Sequence, residues 1–210
     1  EKLRDEARSI KTHTIQYLDE YLEIFERKVE DSGGIVHFAK NASDANRHVL
    51  NIAKSHNVKT VIKSKSMVSE EIGLNEKLFE SDIDVVETDL GEYIIQLADE
   101  TPFHIIAPAI HKDKLEVSKL FASKLGIDEI DDIQQLGAVA RRQLRTKFIE
   151  ADMGITGANF LVADTGTLVV VSNEGNGRMC TSMPKVHVAI AGMERVIPSM
   201  SDLSTFLKLL

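Results

Sequence analysis

Four short polar segments hold most of the side chains that could do chemistry, and each comes directly after an apolar run. The first is Lys63-Ser64-Lys65-Ser66. Two lysines and two serines at a helix start suit an anion, because unpaired amides at a helix N-terminus point toward it. The serines also suit plain capping. No Walker sequence and no G-x-G-x-x-G follows a strand, so both readings stand. The second is Glu87-Thr88-Asp89, with Glu92 one turn further on. Crowded carboxylates raise one another's pKa and can supply a general acid or base; they are also common at an exposed helix start. The third is Pro108-Ala109-Ile110-His111, which places an imidazole at a strand end. The fourth, Asn173-Glu174-Gly175-Asn176-Gly177-Arg178, joins a carboxylate and a guanidinium through glycines that permit close backbone approach. Its bland alternative is a tight surface loop.

Taken together, the expected catalytic groups are Glu174, Glu87 and His111. Glu174 or Glu87 would accept a proton, and His111 would orient the ligand. The expected ligand contacts are Lys65, Ser66, Thr88, Asp89, Asn173, Gly175, Asn176 and Arg178, holding a small anion. Removing a bidentate Arg contact costs about 1.5–3 kcal/mol, so Arg178→Ala is expected to weaken binding roughly ten- to a hundred-fold. No metal is expected. His104 and His111 flank one extended run too far apart to share an ion, and His104 and His187 read as core or edge residues. Cys180 is either a buried inert thiol or, beside Arg178, a low-pKa one.

These segments need a scaffold that brings them to one rim. Apolar β-branched runs at Ile35–Phe38, Val58–Ile62, Ile83–Val86 and Phe103–Ala107 alternate with helical segments starting near Ser43, Val68 and Gly91 and after His111. That rhythm predicts a mainly parallel sheet with helices on both faces, where ligands gather beyond the carboxyl ends of the strands. Before it, Leu18, Leu22, Phe25 and Val29 extend the pattern of Leu3, Ala7 and Ile10. One long N-terminal helix is predicted, stopped by Asp31-Ser32-Gly33-Gly34. After it, Asp131–Ile149 reads as a helix with Ile133, Leu136, Leu144 and Phe148 on one side. Arg141, Arg142, Arg145 and Lys147 lie mostly on the other, as a solvated face or a docking face. Phe160–Ala163 and Leu168–Val171, joined by Asp164-Thr165-Gly166-Thr167, predict a β-hairpin. Val186–Ala191 predicts another strand and Ser201–Leu210 a final helix. Residues 1–34 are expected to form a helical extension and 35–210 an α/β domain.

Composition narrows the classes. The 210 residues are 43% hydrophobic, enough for one sizeable core. The net charge of −8 argues against nucleic acid and anionic lipid as partners, and no apolar run is long enough to span a bilayer. A single cysteine excludes an internal disulfide and cannot ligate a cluster alone, and it fits a cytoplasmic setting.

Seven stretches match a known pattern, and they do so in order along the chain. They are Lys65-Ser66-Met67, Glu70-Glu71-Ile72, Glu87 to Ile94, His104 to His111, Gly154 to Asn159, Asp164 to Thr167 and Asn173 to Arg178. This set resembles the lactate-utilization (LUD) domain family, in its protein B branch. The resemblance implies a three-layer α/β sandwich similar to the sugar-phosphate isomerase and coenzyme A transferase-like group. It implies a part in a complex that oxidises L-lactate to pyruvate, with other lactate-utilization subunits as partners. Members of that branch carry two 4Fe-4S clusters in a ferredoxin-like region after this domain. No C-x-x-C run occurs up to Leu210. The clusters are therefore expected outside this chain, which by itself is expected to hold no cofactor and to be inactive. The resemblance carries over no catalytic residue. Two alternatives stay open. One is an acyl-CoA transferase-like or isomerase-like enzyme using Glu174, although no glycine-rich coenzyme A segment accompanies Asn173-Glu174-Gly175. The other is a non-catalytic scaffold that docks partner subunits through the basic helix face.

Overall fold

Alternation within the strands divides the core. The computed structural model describes residues 1–101, 103 and 107–210. β1 (Thr60–Lys63), β2 (Asp84–Glu87), β3 (Met153–Gly157) and β6 (Val186–Ile190) form a wholly parallel sheet in the order β2-β1-β3-β6. Successive residues face opposite sides. Val61, Val85, Met153 and Ile155 pack under α3 (Ala42–Ser55) and α5 (Leu74–Phe79), next to the short α4 (Met67–Glu71). Ile62 and Val86 pack under α6 (Leu90–Ala98), α7 (Lys114–Leu125) and α8 (Ile133–Glu150). The result is a three-layer α/β sandwich. Most helix starts carry a side-chain cap, among them Asn41 for α3, Asp89 for α6, Asp113 with Glu116 as a capping box for α7, and Asp132 for α8.

A second sheet holds β4 (Phe160–Val162), β5 (Thr167–Val169) and β7 (Val196–Ile197), in the order β5-β4-β7. β4 and β5 are the expected hairpin, turning at Gly166 with φ +68°. A Cβ there would sit 2.7 Å from the backbone of Lys28 and Val29, so the turn needs glycine for both conformation and space.

The N-terminal helix is not continuous. α1 (Lys2–Gln16) and α2 (Leu18–Asp31) break at Tyr17, whose φ of −120° and ψ of 37° leave the helical region. The reason lies in the second sheet. Val162 and Ile197 face Ala7 of α1 and Leu203 and Phe206 of α10 (Met200–Leu207). Their neighbours Leu161 and Val196 face Phe25 of α2 on the opposite side. One straight helix cannot cover both faces.

Three further elements differ from expectation. Ile35–Phe38 pairs with no strand among the described residues; Ile35 and Phe38 are exposed and only Val36 packs inward. β3, the strand next to β1 on the other side from β2, is not among the predicted runs, because Gly154 and Gly157 weaken a strand signal. Gly154 is needed there: a Cβ would lie 1.9 Å from the Cys180 carbonyl, so β3 and α9 (Asn176–Ser182) pack backbone to backbone. The Asn173–Arg178 segment, a loop by its composition, enters α9 at Asn176. The predicted run Phe103–Ala107 and His104 fall largely or wholly outside the described residues.

Candidate functional site

β2 lies on one side of β1 and β3 on the other, so the chain reverses direction across the sheet between β1 and β3. Open α/β sheets bind ligands at such a switch point, beyond the strand carboxyl ends. A crevice of about 320 Å³ lies there. Ser64, Lys65 and Ser66 line it from β1, Asp89 from β2, Gly157 to Asn159 from β3 and Ile190 to Gly192 from β6. Asn173, Glu174 and Asn176 close one wall, and Arg195 joins the lining. Gly157 lets the rim close up, since a Cβ would meet the Ser66 hydroxyl at 3.2 Å.

Two ion pairs stand at this end of the sheet. Lys63 and Glu87 are in register as the last residues of neighbouring strands. Their side chains meet at 2.9 Å, with Lys63 wholly buried and Glu87 nearly so. Ser69 lies 3.2 Å from the ammonium, and the Asn75 amide donates to Glu87 Oε1 at 2.8 Å. Glu87 Oε2 has no hydrogen-bond partner among the described residues. Thr88 donates to the Lys63 carbonyl at 2.9 Å and lies 3.5 Å from Cys180 Sγ. Burial pushes the Cys180 thiol up to about 11, so this is the inert buried cysteine and not the activated one.

The second pair reaches the crevice. Lys65 Nζ lies 2.7 Å from Glu92 Oε1. Glu92 is 6% exposed, and its Oε2 also lacks a partner among the described residues. Burial pushes its pKa up to about 7, helped by Asp89 and opposed by Lys65. Asp89 caps α6 by accepting the Gly91 amide at 3.2 Å. Glu174 is exposed at the rim; desolvation first, then the Asp89 charge, raise its pKa, opposed by the Leu90 amide. Such a set can hold a proton near neutrality and offer a lysine to an anion.

A family model described as the LUD domain matches residues 22–210. The chain belongs to the LUD domain family. It is 45% identical over its whole length to lactate utilization protein B of Oceanobacillus iheyensis and covers 44% of that protein. It is 44% identical to lactate utilization protein B 2 of Bacillus mycoides, with the same coverage. It is 43% identical to a protein of Escherichia coli K12 named "Uncharacterized electron transport protein YkgF", again over 44% of the relative. The chain therefore spans less than half the length of these relatives. No solved structure matches.

In this LUD domain, Lys65, Ser66, Asp89, Asn173, Glu174 and Asn176 share the crevice. The other expected site residues lie elsewhere. Glu87 and Thr88 are buried around Lys63, and Gly175 is the left-handed N-cap of α9 with φ +81°. Arg178 is exposed on the first turn of α9 and is not part of the crevice lining. His111 sits 2.9 Å from Glu100, with its ring 5.3 Å from that of Phe103, and is likewise outside the lining. His187 meets the Thr156 hydroxyl at 2.9 Å between β6 and β3, and burial lowers its pKa.

The LUD domain also gives residues roles that sequence reasoning does not assign. Glu92 stands in the sequence as one of three crowded carboxylates, with no sign of its lysine partner. Asn159 builds the β3 side of the crevice by accepting the Val171 amide at 2.8 Å. Lys63 suits an anion by its position in the sequence and is instead half of a buried pair. A signal for that pair exists: Val61-Ile62-Lys63 and Val85-Val86-Glu87 end two adjacent parallel runs in opposite charges.

Proposed function

We propose that this LUD domain serves lactate utilization by binding a small organic acid in the switch-point crevice. It would do so within an assembly of lactate-utilization subunits that oxidises L-lactate to pyruvate. The observation that carries this reading is the Lys65–Glu92 pair at the crevice, a cation and a carboxyl group near neutrality beyond the strand ends. The names of the relatives support the lactate-utilization part of this reading. Lys65 would hold the acid's carboxylate, the Ser66 hydroxyl would bond a neighbouring oxygen, and Glu174 would be the candidate proton acceptor at the rim.

Any iron–sulfur clusters would lie in the part of the longer proteins that this chain does not span. The residues here do not fit one. The single thiol is buried and held protonated, and a cluster needs four thiolates.

Calorimetry of the 210-residue chain with L-lactate, pyruvate and inorganic phosphate tests the reading. Binding of the organic acids is expected, weakened about ten-fold or more by Lys65→Ala with the melting temperature retained. No binding of any of the three by the wild type would refute it.

A second reading rests on the exposed face of α8, where Arg141, Arg142 and Arg145 point away from the core. Such a face suits an acidic partner subunit. Tight, salt-sensitive association with a partner and no small-molecule binding would favour this scaffold role.

A further inference from the structure

The crevice has a charge problem if it receives an anion. Lys65 is already matched by Glu92, and Asp89 and Glu174 add carboxylates at the rim. Arg195 contributes a cation on the far side, at 3.2 Å from Glu194. A carboxylate ligand placed on Lys65 would thus bring a further negative charge to a cluster already rich in them.

The geometry around Glu92 offers a way to offset it. Its side chain is almost completely buried, one oxygen is held by Lys65, and the other has no partner among the described residues. Among the described residues, the charged groups that act on it are Lys65, from the segment after β1, and Asp89, at the start of its own helix. Below, the Lys63–Glu87 pair at the ends of β1 and β2 is internally neutral. On the side of α7, Tyr93 meets Phe121 ring to edge, an apolar contact. Glu174 acts on Asp89 from across the crevice. A proton added to Glu92, beside Asp89, would cancel the negative charge that faces Lys65 and leave the lysine's positive charge to balance the ligand.

We propose that the crevice takes up a small monovalent organic anion together with one proton, the anion on Lys65 and the proton on Glu92. This rests on the small-acid reading above and adds its proton stoichiometry. Glu92 is a positioning residue here: it acts on the ligand through Lys65. The raised pKa of Glu92 fits this role, because a group poised near neutrality is protonated by a modest change of nearby charge. No bond in the ligand is broken, and the proton comes from solvent.

Linkage then sets the pH dependence. Uptake of one proton per bound anion weakens binding toward about ten-fold per pH unit above neutrality. The test is calorimetry of the wild-type chain with L-lactate and with pyruvate at several pH values from about 6 to about 8.5, spanning the window this linkage defines. Each titration is run in two buffers of different ionisation heat, so that bound protons are counted directly. The expected result is a proton uptake that rises toward one per anion with pH, with affinity falling in step. Glu92→Gln is expected to bind the same anions with a flattened pH profile and no buffer dependence. Anion binding by the wild type without proton uptake would overturn this proposal while leaving the small-acid reading intact. A full pH slope in Glu92→Gln would overturn it too. Absence of anion binding in the wild type at every pH would sink both. The proton count on the wild type requires no variant, so a misfolded Glu92→Gln would not spare the proposal.

Discussion

The two ends of the parallel sheet treat their carboxylates in opposite ways. At the amino end, Asp152 accepts hydrogen bonds from the Lys59 amide at 2.8 Å, the Thr60 amide at 3.0 Å and the Thr60 hydroxyl at 3.1 Å. Those two backbone bonds hold its pKa below the usual range. At the carboxyl end, Glu87 and Glu92 are buried with one oxygen each left unpartnered among the described residues, and the Glu92 pKa is raised. The contrast follows from the direction of the strands. A strand start offers unpaired N–H groups, which a carboxylate satisfies. A strand end leaves carbonyls, which a carboxylate cannot use, so Glu87 is met by side chains instead, the Lys63 ammonium and the Asn75 amide. A clasp and a site thus arise from the same residue chemistry at opposite ends of one sheet.

The largest effect is expected at the buried pair. Glu87→Ala leaves Lys63 charged and unmatched in the interior, and breaking such a pair costs about 3–5 kcal/mol. For a chain of this size the melting temperature should fall by about 10 °C. Adding Lys63→Met to Glu87→Leu should recover part of that loss, as hydrophobic replacements of buried pairs often do. A pair that tolerates Glu87→Ala without a shift in the thermal melt would not be the anchor described.

The next effect is a slope with pH. Glu92 has a folded pKa raised from 4.5 to about 7. The folded state therefore holds a proton that the unfolded state has released. The resulting stability is fully present below about 4.5 and is lost as pH rises through about 7. Melting temperatures of the wild type should decline across that window from this group, and Glu92→Gln should remove that part of the decline. At the opposite end the sign inverts. The Asp152 pKa is lowered, so its contribution is present above the ordinary carboxylate range and lost as pH falls through its folded value. Asp152→Ala should cost about 1 kcal/mol at neutral pH after solvent screening, and the cost should shrink in acid. Denaturant melts at neutral pH and at about pH 3 would check it.

The smallest effect is expected at Arg178. Its type and loop suggest a ligand clamp, but it stands exposed on α9 outside the crevice lining. Arg178→Ala should change stability by less than about 0.5 kcal/mol and leave organic-acid affinity within about two-fold. A ten-fold loss in calorimetry would restore the clamp and move the site toward the start of α9.

Much of the scaffold is legible in the sequence because its causes are local. Alternating or continuous β-branched runs mark β1, β2 and β6, and Asp164 to Thr167 mark the hairpin. β3 is not legible, since its glycines exist to admit α9, and that requirement arises only when the two backbones touch. The break at Tyr17 is hidden for a similar reason: helical periodicity runs through it, and only the two faces of the second sheet demand it.

The candidate site divides along the same line. Residue types and strand ends alone place Lys65 and Asp89 at a common rim, because parallel strands deliver their following segments to one edge, whereas Glu174 follows β5 of the second sheet and reaches that rim through tertiary packing. Which lysine meets which glutamate is decided by register and burial. Lys63 opposes Glu87 because β1 and β2 align there, and Lys65, two residues on, reaches Glu92 one turn into α6. His111 and Arg178 carry equally suitable chemistry, yet the packing of their helices and loops turns them elsewhere. A sequence determines what each side chain can do and which strand end it follows. The tertiary structure alone decides which side chains meet and how far water is excluded from them, and charge interactions depend on both separation and burial.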